Sequence, residues 1–163
     1  MLVLGIDPGM ATMGYGLVRD QDDALQAIDY GVLTTPANSP VSQRLSSIYQ
    51  GLLALMDRYH PEEMAIELFV ARSLRSALLV GQARGVAILT AANHGLPVYE
   101  YSPMQVKQSV AGYGKGSKEQ MQQMVRLQLC LDCIPQPDDA ADALGLAICH
   151  FNRRHLANLL RTE

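Results

Sequence analysis

Four carboxylates stand where a carboxylate is either costly or oriented, and any chemistry this chain performs would rest on them. Asp7 closes the apolar run Leu2–Asp7, and Glu67 sits within Met64-Ala-Ile-Glu-Leu-Phe69. A carboxylate in a strand buried on both faces costs several kcal/mol unless it is paired or coordinates a metal. Asp139 and Asp142 follow a Pro-rich break and lie three residues apart, which projects both from one face of a helix's first turn. Taken singly, each acid has a structural explanation: Asp7 as a turn cap, Asp138 or Asp139 as the N-cap of a helix. Taken together, two strand-borne acids and a helical pair supply what a divalent cation needs. Clustered carboxylates raise one another's pKa, and a bound cation relieves the repulsion. An all-oxygen donor set selects Mg²⁺ or Mn²⁺ over zinc.

The elements that must position these acids follow from the hydrophobic pattern. Leu2–Asp7 reads as a buried strand ended by Pro8-Gly9. Tyr15–Arg19 and roughly Ala27–Leu33 read as two more, joined by a turn at Gln21-Asp-Asp23. After the loop Thr34–Pro40, residues Val41, Leu45, Ile48, Leu52, Leu55 or Met56, and Tyr59 recur at helical spacing until His60-Pro61 stops the helix. Met64–Phe69 is a fourth strand, Ser73 to about His94 a second helix ended by Gly95, and Pro97–Tyr101 a fifth strand. Two further helices follow, one opening at Ser117 with Gln120 completing a capping box, the other opening near Asp138. Gly112-Tyr-Gly-Lys-Gly116 reads as a hinge or close-approach loop. It is no phosphate-binding P-loop, because Gly116 is followed by Ser-Lys rather than Lys-Ser. Three adjacent strands, then alternating helix and strand, then helices predict an α/β fold: one mixed sheet with helices on both faces. Residues 1–155 are expected to form a single domain, with 156–163 as a C-terminal tail.

Composition narrows the class. The chain has 163 residues, 48% hydrophobic and 18% charged, enough for one domain with a sizeable core and incompatible with a disordered or collagen-like chain. No apolar run reaches the roughly 18 residues a membrane span needs. The opening Met-Leu-Val-Leu-Gly-Ile-Asp has no basic n-region, so a cytoplasmic protein without a signal peptide is expected. The net charge of −3 conceals an asymmetry. Between Leu68 and Arg126 lie seven basic residues, Arg72, Arg75, Arg84, Lys107, Lys115, Lys118 and Arg126, against only Glu100 and Glu119. A basic middle between acidic ends presents a positive surface to a polyanion. Cys130 and Cys133 have C-x-x-C spacing and Cys149 adjoins His150, but no second such pair exists. Structural burial is the expected role of these cysteines.

The motifs resemble a known family. Gly5-Ile-Asp-Pro-Gly9 with Gly14-Tyr-Gly16, Ala65-Ile-Glu67, Gly81-Gln-Ala-Arg-Gly-Val-Ala87, Gln105-Val-Lys-Gln108 and Asp139-Ala-Ala-Asp-Ala-Leu144 together resemble the RuvC Holliday-junction resolvases of the ribonuclease H-like superfamily, in the family's order. The resemblance implies a ribonuclease H-like fold with a five-stranded mixed sheet. It also implies a nucleoid-associated, homodimeric endonuclease that nicks two opposed strands of a four-way DNA junction symmetrically, in recombination and repair. By the same resemblance Asp7, Glu67, Asp139 and Asp142 hold two catalytic Mg²⁺ ions, for which Mn²⁺ substitutes. Lys107 and Lys118 contact DNA or assist the chemistry, and a branch-migration motor is a further partner. Two metals about 3.5–4 Å apart suit phosphodiester hydrolysis because they clamp the attacking and leaving oxygens. From the basic middle, Arg72 and Lys115 are expected on DNA. Phe69 is expected either to stack on a distorted base or to pack in the core, since alternation puts it on the face of Glu67. Gly81 and Gly85, one helical turn apart, permit close approach of another backbone, of this chain's own sheet or, by the resemblance, of a partner subunit. The alternative readings are an RNA- or DNA-processing nuclease of the same superfamily and a non-catalytic DNA-binding module.

Overall fold

Period-two burial in the first strand divides the molecule into two cores. In β1 (Leu2–Asp7), Leu2, Leu4 and Ile6 face one side of the sheet, whereas Val3 enters the core on the other side, the side to which Gly5 and Asp7 also alternate. The structure is a computed structural model and describes residues 1–21, 24–68, 73–112 and 116–160. Its sheet is completed by β2 (Thr12–Gln21), β3 (Ala24–Thr34), β4 (Glu63–Glu67) and β5 (Val98–Tyr101), in the order β3-β2-β1-β4-β5. β2 pairs antiparallel with β1 and β3, while β4 pairs parallel with β1 and β5, giving the mixed sheet expected.

Helices cover both faces. On one, Ile48, Leu52 and Met56 of α1 (Val41–Tyr59) and Ala83, Ala87 and Ala91 of α2 (Leu74–Asn93) join Leu4, Ile6, Met64 and Ile66. On the other, Val106 and Val110 of α3 (Pro103–Ala111), Met121 and Val125 of α4 (Lys118–Gln128), and Leu144 and Ile148 of α5 (Asp138–Leu159) pack over Val3 and Ala65. No helix among the described residues is long and apolar enough to cross a membrane.

Several boundaries differ from the sequence reading. β2 and β3 are longer than expected, because their antiparallel register runs on to Gln21 opposite Ala24 through residues without an alternating apolar signature. The strand expected to reach Phe69 ends at Glu67, and Phe69 lies outside the described residues. Helix α3 was not anticipated. It is only nine residues long and buries just Val106 and Val110, too short a repeat to register as helical. Its signal was local: Ser102 caps the chain at Gln105, Gln105 returns the bond, and Pro103 occupies the first turn. Gly112 of the expected hinge is the C-cap of α3, at φ 80°, a conformation glycine adopts without strain. The tail expected from residue 156 is helical to Leu159.

The cysteine reading needs correction. Cys149 is buried, but Cys130 and Cys133 are exposed. They follow α4 where the chain leaves the core, with Cys130 left-handed at φ 51° and Leu131 bonded back to the Arg126 carbonyl.

Glycines fix how α5 sits. Gly14 pairs with Asp7 across the β1–β2 ladder, and a Cβ at Gly14 would stand 2.0 Å from the Asp139 carbonyl oxygen. A Cβ at Gly5 would meet the Ala143 carbonyl oxygen at the same distance. The N-terminal turns of α5 therefore lie directly on the strands that carry Asp7. Gly14→Ala is expected to push this turn away, costing about 1–3 kcal/mol in urea unfolding as overpacking does and sharply reducing the nuclease activity that the resemblance implies. A fully stable, fully active variant would mean that this approach does not set the site.

Candidate active site

Parallel pairing brings the two strand acids together. β1 and β4 run side by side with Ile6 opposite Ile66, so Asp7 and Glu67, each the last residue of its strand, leave the same edge on the same face. That face is the one covered by α5, whose first two turns carry Asp139 and Asp142. The clustering appears in their ionisation. Burial, then the charges of Glu67, Asp142 and Asp139, push Asp7 from 3.8 up to about 8, with Lys118 opposing. Burial and the charge of Asp142 push Glu67 up to about 7, with Lys107 opposing. Asp142 is also raised, chiefly by burial, although Lys118 pulls against the shift. Charge on these acids is thus disfavoured by both desolvation and one another.

Two lysines share with the acids a cleft of about 180 Å³, lined by Glu67, Asp142, Lys107, Lys118, Val106 and Met121. Lys107 is placed there by α3, the helix the sequence reading missed. Lys118 begins α4, held by a reciprocal Ser117–Gln120 capping box. Its Nζ lies 3.0 Å from Asp138 Oδ2 and 3.5 Å from Asp142 Oδ2. Burial alone would lower Lys118, but the bond to Asp138 and the charge of Asp142 outweigh it and keep it firmly cationic. Six anticipated residues, Asp7, Glu67, Asp139, Asp142, Lys107 and Lys118, therefore gather at one site. Phe69, Arg72 and Lys115 lie outside the described residues.

Two features carried no sequence warning. Asp138, read only as a helix cap, makes no capping bond, since Pro137 is the N-cap of α5; it instead accepts a bond from buried Gln122, whose Nε2 lies 2.9 Å from Asp138 Oδ1. The i, i+4 spacing of Lys118 and Gln122 was the available signal. Further back along the same face of β4, buried Glu63 lies 2.5 Å from both His150 Nε2 and Arg154 Nη1, and His150 Nδ1 lies 2.8 Å from the Tyr101 hydroxyl. This network ties the far half of α5 to β4 and β5, so the helix is anchored at both ends. Nothing local in the sequence pairs residues so far apart.

A mixed five-stranded sheet opened by an antiparallel β1–β2–β3 meander, with acids gathered on its α5 face, defines the class: a ribonuclease H-like α/β fold. The family model for crossover junction endodeoxyribonuclease RuvC matches residues 3–150. The crossover junction endodeoxyribonuclease RuvC of Chloroflexus aggregans is 56% identical over 151 residues, covering 92% of each chain. That of Dehalococcoides mccartyi is 50% identical over 161 residues, covering 98% of this chain and 96% of its own. The solved structure of T. thermophilus RuvC in complex with Holliday junction substrate superposes with a TM-score of 0.92 at 36% identity, covering 96% of both chains. The chain belongs to the RuvC family of crossover junction endodeoxyribonucleases. That family depends on divalent metal.

Proposed function

We propose that this chain resolves four-way DNA junctions as a homodimer, making paired symmetric nicks with two Mg²⁺ ions held by Asp7, Glu67, Asp139 and Asp142. The observation that carries the reading is the convergence of mutually repelling carboxylates at one site of a RuvC-family chain, beside a cleft that Glu67 and Asp142 line. The donor set fits the ions. Carboxylates pushed up to about 8 and about 7 when metal-free gain most from a cation, and oxygen ligands suit Mg²⁺, with Mn²⁺ able to replace it. When bound, the two ions activate the attacking water and neutralise charge building on the phosphate and the leaving oxygen.

The chain's own groups do the rest. Asp7, Glu67, Asp139 and Asp142 would hold the ions, and the close packing of α5 on Gly5 and Gly14 sets how near the helical pair stands to Asp7. Lys118 and Lys107 line the same cleft as Glu67 and Asp142 and supply positive charge there for a phosphate backbone. Arg72 and Lys115 are proposed to contact DNA and Phe69 to stack on a base near the junction centre, though all three lie outside the described residues. The substrate puts the protein at the bacterial nucleoid, and a branch-migration motor is expected there on family resemblance alone.

The dimer reading rests on α2. Gly81 and Gly85 are exposed, with open space where a Cβ would stand, so they do not pack against this chain's own sheet. Leu74, Leu78 and Leu89 are 79%, 60% and 58% exposed and continue the same stripe at helical spacing. Two incisions related by a two-fold axis need two sites so related, and an isologous contact through this stripe provides them. Leu78→Asp with Leu89→Asp is expected to sediment as a monomer. On a supercoiled cruciform plasmid it should give nicked circles in place of the linear product of coupled nicks. Retained dimer with coupled nicking would contradict this use of α2.

A further inference from the structure

We infer that Asp138 is a positioning residue that shares the Lys118 ammonium with Asp142, drawing it to the nearer contact, and so leaves the Asp142 carboxylate more available to a cation. The inference rests on the proposed use of the cleft as a metal site. The side chain of Lys118 is 51% exposed and its Nζ has two acidic neighbours, Asp138 Oδ2 at 3.0 Å and Asp142 Oδ2 at 3.5 Å. The two oxygens of Asp138 are used separately, since Oδ1 accepts from Gln122 Nε2 at 2.9 Å. Gln122 is itself buried, 8% exposed, one turn after Lys118 on α4, so it presents a fixed donor. The chain Gln122–Asp138–Lys118 therefore ties the first turn of α4, which brings the cation, to the first turn of α5, which brings the acids.

Remove Asp138 and the lysine's nearest remaining anion is Asp142. A lysine ammonium settled there competes directly with a divalent cation for the same oxygen. Charge alone explains why the tie is made to a residue just outside the acidic pair. Asp138 is exposed, on the first residue of α5, where a carboxylate is favoured by the helix N-terminus and costs little desolvation. Asp142 is half buried among other acids.

Mg²⁺ titrations read by thermal shift, with no turnover involved, test this on four proteins: wild type, Asp138→Ala, Lys118→Met and the double variant. The Mg²⁺ concentration for half-maximal stabilisation is expected to rise roughly tenfold in Asp138→Ala, in the range set by residues that support metal ligands. It should not rise when Asp138→Ala is added to Lys118→Met, because the competing cation is gone. Asp138→Asn keeps one acceptor oxygen in place of two, for Lys118 or Gln122 but not for both as Asp138 holds them, and should fall between. An unchanged midpoint in Asp138→Ala, or an equal rise in the Lys118→Met background, would overturn the inference. Single-turnover junction cleavage separates it from the role of Lys118 at the phosphate. If Lys118→Met cuts at the wild-type rate, that role fails, while the titration still decides the role of Asp138.

Discussion

Asp7→Asn is expected to slow four-way-junction cleavage by at least about 10³-fold, roughly 4 kcal/mol on the barrier, while junction binding stays intact or tightens. The asparagine keeps the shape of the strand end but removes a charge from the acid most strongly coupled to Glu67, Asp142 and Asp139. Loss of a ligand removes the ions' hold on the phosphate, whereas loss of a negative charge facing DNA lowers repulsion. Glu67→Gln and Asp142→Asn should behave alike. Asp139→Asn is expected to keep more activity, because of the three acids whose charge raises Asp7 it contributes least. Single-turnover rates in Mg²⁺ and gel-shift affinities without it check both halves. Near wild-type cutting by Asp7→Asn would make Asp7 a structural turn residue.

The same acid gives the second large effect. Without metal, stability is expected to fall as pH rises between about 4 and about 8. The folded Asp7 carboxyl holds its proton up to about 8, whereas the unfolded chain releases it near 3.8. Across that window the folded state binds more protons, so raising the pH favours unfolding. Glu67, raised to about 7, adds to the slope. In chelator at pH 8, Asp7→Asn should therefore melt higher than wild type, by at least ~5 °C for a gain on the order of 2–5 kcal/mol. Mg²⁺ must displace these protons, so its stabilisation of the wild type should strengthen from pH 5 to pH 8. Melting curves at both pH values, with and without Mg²⁺, decide the matter. Equal melting temperatures for variant and wild type in chelator at pH 8 would show that Asp7 is not under this electrostatic load.

Those two results concern residues that were visible in the sequence, and the reason they were visible is physical. An acid ending an apolar run, as at Asp7, or set within one, as at Glu67, conflicts with burial, and conflict is legible without coordinates. The i, i+3 pair Asp139 and Asp142 was legible from helical geometry. The β1–β4 pairing that brings Asp7 beside Glu67 joins strands some sixty residues apart, and only the resemblance, not the pattern, pointed to it. Helix α3 was hidden because two buried valines make no period, so the sequence named Lys107 without the element that aims it. Asp138 was hidden for another reason: an expected capping role was sufficient to explain it, and its bonds to Gln122 and Lys118 need α4 and α5 already packed. The Glu63–His150–Arg154 network likewise exists only in the assembled fold. The cysteines mark the converse error, since a hydrophobic side chain was expected inside at Cys130 and Cys133 although helix termination puts both outside.

The central claim is that the acidic cleft cuts four-way DNA junctions and does so through divalent metal. One side-by-side cleavage assay tests it most directly: a four-way junction, a plain duplex and an RNA–DNA hybrid, each with Mg²⁺ and each with excess chelator. The account predicts symmetric paired nicks in the junction with Mg²⁺, negligible cutting of the other two substrates, and none of any substrate in chelator. Robust junction cleavage in chelator, or cutting of the duplex or hybrid at the junction's rate, would contradict it.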